Sequence, residues 1–171
     1  MKLLFESERL NICLAEKENI TAIMDIEQDE ENRKFVWQGT YEEHFEEIGD
    51  TKSLLLTLNE KNTDALVGFM LAVVDKKSEV FELKRIVVSD KGRGYGKETL
   101  HAVMEYSFNT LHSNRFWLDV YPDNEVGINL YKSLGMKHEG TLRQAYKRGD
   151  FYMDQMVFSI LRGEYLHSRK L

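Results

Sequence analysis

A glycine-rich loop between a strand pattern and a helix pattern is the most constraining feature of this chain. Residues 85–98 read Arg-Ile-Val-Val-Ser-Asp-Lys-Gly-Arg-Gly-Tyr-Gly-Lys-Glu. Glycines allow successive backbone N–H groups to point into one concavity, and the following helix adds unpaired N-terminal donors and the positive end of its dipole. The segment therefore predicts an α/β fold that binds an anionic cofactor at this loop.

The spacing of the loop excludes two common nucleotide-binding motifs. A P-loop would need glycine at Lys91 and Ser or Thr at Glu98. A dinucleotide fingerprint counted from Gly92 meets Lys97 where its last glycine belongs. Another class of phosphate-binding loop must therefore be considered.

Two motifs in this order resemble those of the GNAT acetyltransferase superfamily. Lys91-x-x-Gly94-x-Gly96 resembles its coenzyme A loop, Gln/Arg-x-x-Gly-x-Gly/Ala, with Lys91 in place of Gln or Arg. The second motif, Asn-x-x-Ala-x-x-Leu-Tyr-x-x-x-Gly-Phe, is matched within residues 124–136 by Asn124, Gly127 in place of Ala, Leu130, Tyr131, Gly135 and Met136 in place of Phe. Residues 139–143 and several later positions look like the RimJ/RimL and polyamine acetyltransferase branch. The resemblance covers most of the chain.

The resemblance implies an α/β (α+β) GNAT fold, with a mixed, mostly antiparallel central sheet that is splayed at the cofactor cleft and flanked by helices. Strands 80–88 and 115–121 would splay apart and admit acetyl-CoA. Backbone N–H groups near the end of the first strand would bind the pantetheine and the thioester carbonyl, and residues 93–97 would hold the pyrophosphate. The implied cofactor-binding residues are Ile86, Val87, Val88, Lys91, Arg93, Gly94, Tyr95, Gly96, Lys97, Asn124, Gly127 and Asn129.

Tyr131 is the candidate acid for the departing thiolate. Seven residues separate it from Asn124, which puts both within about 20° on one helix face. Val126 and Leu130 belong to a different face that can pack inward. Considered singly, Asn124 suits a helix N-cap and Tyr131 suits half-buried packing; two motifs in register favour the functional interpretation. Glu82 is a candidate base, with a surface cross-strand ion pair as the alternative.

Composition predicts one soluble domain, residues 1–171. The chain is 42% hydrophobic and 30% charged, with a formal charge of −6, which disfavours nucleic acid as a partner. The apolar run 65–74 is about half the length that a membrane span needs. A single cysteine and an early acidic pair predict a reducing cytoplasm rather than secretion. The five histidines show no metal-ligand spacing, so no metal is expected.

The predicted activity is acetyl-CoA-dependent transfer of an acetyl group to a primary amine by direct attack on the thioester. The acceptor is a small amine such as a polyamine, or a protein N-terminus, and a homodimer is possible. Acidic clusters at 27–31 and 42–47 are solvated helix faces or, if they rim the acceptor cleft, attract cations. A non-catalytic acyl-CoA-binding module of the same fold is the alternative function.

Hydrophobic periodicity predicts the order of the elements. An antiparallel meander is predicted from strands at 10–14, 53–58, 65–74 and 80–88, and later strands at 115–121 and on both sides of a turn at 148–150. Helices are predicted at 16–27, at 41–48, after the glycine loop, and at 124–134.

Overall fold

One eight-stranded sheet runs through the computed structural model, which describes residues 2–168. The strands are β1 (Lys2–Glu6), β2 (Leu10–Leu14), β3 (Ser53–Glu60), β4 (Leu66–Asp75), β5 (Val80–Val88), β6 (Arg115–Val120), β7 (Lys137–Arg148) and β8 (Phe151–Leu161). The helices are α1 (Ile20–Gln28), α2 (Tyr41–Gly49), α3 (Tyr95–Glu105), α4 (Glu125–Ser133) and α5 (Arg162–Ser168). A short 3₁₀ turn precedes α1, and a π-helical turn, Tyr106–Thr110, extends α3.

The strands lie in the order β1-β2-β3-β4-β5-β6-β8-β7. All neighbours are antiparallel except β5 and β6, which are parallel. A parallel pair needs a crossover connection, and α3 supplies it. The predicted fold class is confirmed: the sheet is mixed, mostly antiparallel and flanked by helices.

Side chains of successive strand residues point to opposite faces, and each face is covered by its own helices. The larger core lies under α3, α4 and α5, where Leu100, Tyr131 and Tyr165 are buried against the sheet. The smaller core lies under α1 and α2, where Ile23 packs with Leu55, and Val87 belongs to the same cluster. The layers are therefore α1 and α2, the sheet, and then α3, α4 and α5.

The parallel pairing of β5 with β6 is short. It runs from Val80 opposite Arg115 to Leu83 opposite Leu118 and then ends. Beyond this point β5 stays paired with β4 as far as Val88, while β6 stays paired with β8. A gap therefore opens between the two strands, as the predicted splay requires.

A β-bulge in β5 marks the start of this gap. Leu83 lies opposite Ala72 of β4 and Arg85 lies opposite Leu71, so Lys84 has no residue opposite it. Such an extra residue bends the strand and increases its twist. The bulge therefore turns the end of β5 away from β6.

Most predicted elements agree with the structure, and two elements were not predicted. The strands at 10–14 and 80–88 have the expected bounds, and the antiparallel meander is present. β1 and α5 lack a clear sequence pattern and were missed. The expectation that Val126 packs inward was wrong, because its side chain is 82% exposed. Among residues 2–168, no helix has the length and apolar character needed to cross a membrane.

Candidate active site

The backbone at the end of β5 offers hydrogen-bond donors to the gap. Ser89, just after β5, donates its N–H to a β4 carbonyl at 2.9 Å. Hydrogen-bonded and non-hydrogen-bonded pairs alternate in an antiparallel ladder, so Val87 also bonds to β4, whereas Ile86 and Val88 direct their N–H groups away from it. Because β6 has diverged here, Ile86 and Val88 are the candidate donors for a ligand. Val87 instead packs its side chain in the smaller core.

The glycine loop joins β5 to α3 in a conformation that glycine favours. Gly92 has φ +79° and Gly94 has φ +81°, both in the left-handed region. Gly94 is the N-cap of α3, and no side chain caps the helix. The first N–H groups of a helix have no intrahelical partner, so those of Tyr95, Gly96 and Lys97 are suited to an anion.

The three cationic side chains of the loop differ in whether they already have a partner within the protein. Lys91 donates to the carbonyl of Glu31 at 3.2 Å, in the α1–α2 loop. Arg93 forms ion pairs with Asp90 at 2.8 Å and Glu60 at 3.1 Å. Lys97 is exposed and has no ion-pair partner in the part of the chain that the structure describes. Among these three side chains, Lys97 is therefore the most accessible to a phosphate.

Tyr95 was predicted to contact the cofactor, but its side chain is buried. The guanidinium groups of Arg9 and Arg93 both lie over its ring, at 4.5 and 4.8 Å from the centroid. Its hydroxyl donates to Glu60 at 2.5 Å. Tyr95 can therefore serve a ligand only through its backbone, while its side chain fixes the loop against the sheet.

The second motif begins α4 and caps it. The Asn124 side chain accepts the Gly127 N–H at 3.0 Å, so the N-cap interpretation is correct. A β-carbon on Gly127 would lie 3.0–3.1 Å from the Asn124 side chain, so this glycine accommodates the cap. The Asn124 amide N–H₂ group is still available to a ligand. Asn129 is exposed on the outer side of α4.

Tyr131 lies in the larger core, on the α3 and α4 side of the sheet. Its ring is 6.1 Å from that of Phe158, and no hydrogen bond joins its hydroxyl to another described residue. Burial, with a smaller contribution from the charge of Asp119, raises the pKa of Tyr131 to about 12. The phenol therefore carries its proton at neutral pH and can act as an acid.

Glu82 lies before the gap, where β5 and β6 are still paired. It is opposite Trp117 on β6, and its carboxylate accepts a hydrogen bond from Lys84 at 3.0 Å. Glu82 thus forms an ion pair, as the alternative interpretation expected, but its partner Lys84 lies on the same strand and not on a neighbouring one. This position makes Glu82 a weaker candidate base than a carboxylate inside the gap.

Asp119 is such a carboxylate, and it was not among the site residues predicted from the sequence. It is the first residue of β6 beyond the pairing with β5. Burial raises the pKa of Asp119, with Lys84 opposing and Glu82 adding to the shift. The alternation of buried Phe116 and Leu118 with residues 117 and 119 places Asp119 on the α1 and α2 face, so it is across the gap from Tyr131. The same alternation is visible in the sequence and could have placed Asp119 on this face.

The α1–α2 loop contacts the β7–β8 hairpin across the end of β6. Arg148 of β7 donates to the backbone carbonyls of Arg33 and Lys34. The ring of Trp37 meets the ring of Tyr146 edge-on at 5.7 Å. We call these contacts the clamp. They bound the α1 and α2 side of the gap, where an acceptor would enter.

An acidic cavity of about 420 Å³ lies beside the clamp. It is lined by Trp37, Glu43, Glu46, Glu47, Asp50 and Ser53. Four of these six residues are carboxylates, so the cavity favours a cation. A larger cavity, about 540 Å³, lies between β1 and the outer surface of α3, on the other side of the sheet from α2.

Comparison with known proteins places this chain in one family. The acetyltransferase (GNAT) family model matches residues 20–136, more than half of the chain. The chain therefore belongs to the GNAT acetyltransferase family. Members of this family use acetyl-CoA as the acetyl donor.

Two curated relatives have similar sequences. An uncharacterized N-acetyltransferase p20 of Bacillus licheniformis is 31% identical over 110 residues, which are 61% of this chain and 60% of that protein. The spermidine N(1)-acetyltransferase of Vibrio cholerae is 26% identical over 108 residues, 63% of this chain and 62% of that protein. The chain thus matches about three fifths of the length of these relatives.

Solved structures share the fold. A GNAT-family acetyltransferase from Bacillus anthracis superposes with a TM-score of 0.79 at 20% identity, covering 95% of this chain and 99% of that one. The Vibrio cholerae spermidine N-acetyltransferase in complex with CoA and spermine gives 0.81 at 19% identity, covering 92% and 98%. Within residues 2–168, no three His, Cys, Asp or Glu side chains are grouped so as to hold a metal ion.

Proposed function

We propose that this protein is an acetyl-CoA-dependent N-acetyltransferase that acetylates a small cationic amine by direct attack of the amine on the thioester. The observation that carries the proposal is the end of β5–β6 pairing at Leu83 and Leu118, with the glycine loop at one end of the gap and Tyr131 beside it. The spermidine acetyltransferase among the relatives supports placing the chain in the RimJ/RimL-like and polyamine branch.

The residues of the site fit coenzyme A. The uncapped first turn of α3 and the left-handed Gly92 and Gly94 suit a pyrophosphate. Ile86 and Val88 offer N–H groups to the amides and the carbonyl of the pantetheine arm. Lys97 adds an accessible positive charge. Bound acetyl-CoA supplies an acetyl group that is already activated as a thioester.

The proposed chemistry assigns one proton transfer to each side of the gap. Asp119, or a water that it holds, accepts a proton from the attacking amine, whose nitrogen forms a bond to the carbonyl carbon. The N–H groups of Ile86 or Val88 stabilise the negative charge that develops on the carbonyl oxygen. As the C–S bond breaks, Tyr131 donates its proton to the sulfur. The products are the N-acetyl amine and CoA with a free thiol.

The acceptor side favours a small cation over a protein N-terminus. The acidic cavity next to Trp37 would attract a polyamine, and the clamp through Arg148 and Tyr146 narrows the entrance. A folded protein would have to displace the clamp to bring its terminus to Asp119. We therefore place polyamines and similar diamines first among the candidate acceptors.

Thermal unfolding with CoA, ATP and NAD tests the cofactor assignment. A ligand at about one hundred times its dissociation constant adds about 2.7 kcal/mol of stability. We expect CoA to raise the melting temperature by several degrees and the other two to leave it unchanged. Stabilisation by ATP or NAD but not CoA would contradict the proposal.

Release of free thiol from acetyl-CoA tests the reaction. Polyamines, diamines, amino acids, aminoglycosides and N-terminal peptides are compared with a control without acceptor. Release that depends on a polyamine or diamine is the expected result. CoA binding without thiol release for any acceptor would instead support a non-catalytic acyl-CoA-binding module. Thiol release with peptides alone would show that the acceptor is a protein N-terminus and not a small amine.

A further inference from the structure

Four charged side chains to which the proposed chemistry assigns no proton transfer form a closed ring on the α1 and α2 face, and Glu27 and His44 among them are fully buried. Glu27 of α1 contacts Arg85 of β5 at 3.1 Å and His44 of α2 at 3.2 Å. The other nitrogen of His44 lies 3.0 Å from Glu47, whose second oxygen meets Arg85 again. We call Glu27, His44, Glu47 and Arg85 the charged ring.

The charged ring is balanced only when His44 is protonated. Both nitrogens of its imidazole lie next to carboxylate oxygens, so both are suited to donate hydrogen bonds. Burial lowers the pKa of His44, but the hydrogen bonds to Glu27 and Glu47 outweigh this effect and raise the pKa to about 9. At neutral pH two negative and two positive charges then face one another.

The ring also fixes the loop between α1 and α2. The N–H of Gly39 donates to Glu27 at 2.8 Å. A β-carbon at Gly39 would lie 2.7 Å from the Nε2 atom of His44, so only glycine allows the loop to close over the imidazole. Trp37 of the clamp lies two residues earlier in the same loop. The position of the acceptor entrance is therefore tied to the ring.

At its other end the ring is tied to the strand that borders the gap. Arg85 follows the bulge at Lys84 and directly precedes Ile86, a candidate donor to the thioester carbonyl. Its side chain is 9% exposed and bridges carboxylates from two helices. The ring thus connects the acceptor wall to the backbone that would hold the acetyl group.

Stability alone does not account for a ring of four charges that are largely shielded from solvent, with side-chain exposure between 0% and 20%. Replacing such a group by well-packed apolar side chains is often neutral or stabilising, because burying charge carries a large desolvation penalty. A hydrogen-bonded ring does, however, fix the relative positions of its members more narrowly than apolar packing. The reacting atoms of two substrates must be aligned within fractions of an ångström, and this ring lies between the two surfaces that would hold them.

We propose that Glu27, His44, Glu47 and Arg85 are positioning residues that hold the acceptor amine in line with the thioester, and that the acceptor step depends on the ring being closed. This inference rests on the proposed function and adds the residues that align its two substrates. None of the four is assigned to proton transfer, since every charged group in the ring has a partner within it.

His44→Gln tests the ring without changing a residue that lines the acidic cavity. The amide keeps the approximate size of imidazole but cannot carry its charge. We expect kcat/KM for the acceptor to fall about 10²-fold, as for a misplaced substrate, while the dissociation constant for acetyl-CoA stays within about twofold. Arg85→Lys, which keeps the charge but loses the two-carboxylate bridge, should fall in the same way. Glu42→Gln, an exposed change on the same helix, is the matched control.

The pH dependence of kcat/KM for the acceptor tests the role of the ring in the wild-type protein, without a variant. Acceptor kcat/KM should rise with pH as the free amine forms, and then fall near pH 9 as His44 loses its proton and the ring becomes net negative. The groups facing His44 are Glu27 from α1, Glu47 from α2 and Arg85 from β5. His44→Gln should lack the falling limb.

The outcomes separate the two proposals. Wild-type turnover together with folded variants whose acceptor kinetics and alkaline limb are unchanged would overturn the positioning role and leave the proposed function intact. No wild-type turnover with any amine would overturn the proposed function, and the positioning role with it. A folded variant that loses acetyl-CoA affinity and acceptor affinity in equal measure would show that the ring does not act on the acceptor step in particular, and would also contradict the proposal.

Discussion

A β-carbon on Gly68 would lie only 2.3 Å from the carbonyl oxygen of Val87. No carbon approaches a carbonyl oxygen so closely without forcing the backbone apart. Gly68 therefore sets how near β4 can come to the end of β5, and with it the position of the N–H groups that border the gap.

Gly68→Ala should push β4 away from β5. We expect the free energy of unfolding to fall by about 1–3 kcal/mol, as in other overpacked sites, and acetyl-CoA to bind more weakly because Ile86 and Val88 move. Urea unfolding and calorimetry measure the two effects. Gly163→Ala, in α5 with nothing within 4 Å of the added carbon, is the control and should not destabilise the protein. Equal urea midpoints for both variants would contradict this account of Gly68.

Tyr131→Phe should remove the proposed acid and keep the packing of the ring. Turnover should fall by about 10²- to 10⁴-fold, while the affinity for acetyl-CoA stays nearly unchanged. Because the pKa of Tyr131 is raised to about 12, wild-type activity should show no loss from phenol ionisation below pH 10. Tyr152→Phe, at an exposed tyrosine, is the control. Unchanged turnover in Tyr131→Phe would remove it from the acid role.

Asp119→Asn and Glu82→Gln distinguish the two candidate bases. A base must be ionised to accept a proton, so activity should rise with pH through the pKa of the base. For Asp119 burial puts this pKa above the ordinary aspartate value. We expect Asp119→Asn to lower kcat/KM by about 10²- to 10⁴-fold and to remove the part of the acid limb that follows Asp119, leaving only the rise that accompanies formation of the free amine. Glu82→Gln should change kcat/KM only a few-fold. A larger loss in Glu82→Gln than in Asp119→Asn would instead identify Glu82 as the general base.

Glu139→Gln should lower stability at neutral pH, make stability less dependent on pH in the acid range, and leave activity unchanged. Glu139 of β7 pairs with Arg115 of β6 through both of its oxygens, at 2.6 and 2.5 Å. The hydrogen bond from Arg115 lowers the pKa of Glu139 to about 2. A carboxylate with a lowered folded-state pKa stabilises the fold above its unfolded pKa, and this stabilisation is lost as pH falls through the folded value.

The pair is partly exposed, so solvent screening limits the loss in Glu139→Gln at pH 7 to less than about 1 kcal/mol. The difference from wild type should shrink between about pH 4.5 and pH 2. Denaturant unfolding at several pH values measures it, with Glu125→Gln as an exposed control. A difference that does not depend on pH would show that the ion pair is not its cause.

The backbone of the site could be predicted from the sequence, because glycine spacing is a local property. Residues such as Gly94 encode a left-handed turn whatever surrounds them. The partners of the charged side chains could not be predicted. Lys91 reaches a carbonyl in the α1–α2 loop, 60 residues away in sequence, and only the tertiary fold brings them together.

Asp119 and α5 were missed for different reasons. The location of the gap depends on the number of residues over which β5 and β6 are paired. The alternation of apolar and polar residues within either strand does not predict this number. α5 has only seven residues, including a glycine, and is stabilised by packing of Tyr165 on Phe108 at 4.8 Å. Short helices depend on such tertiary contacts more than on propensity.

The bulge at Lys84 decides which layer each later residue of β5 belongs to. Phe81 and Leu83 face α3 and α4, and strict alternation would send Arg85 to the same side, into the larger core. The extra residue sends Arg85 toward α1 and α2 and returns Ile86 to the larger core. A regular strand that kept Lys84 in the ladder would therefore exchange the two sides of the sheet for the whole end of β5, burying a guanidinium under α3 and turning an isoleucine toward the acceptor.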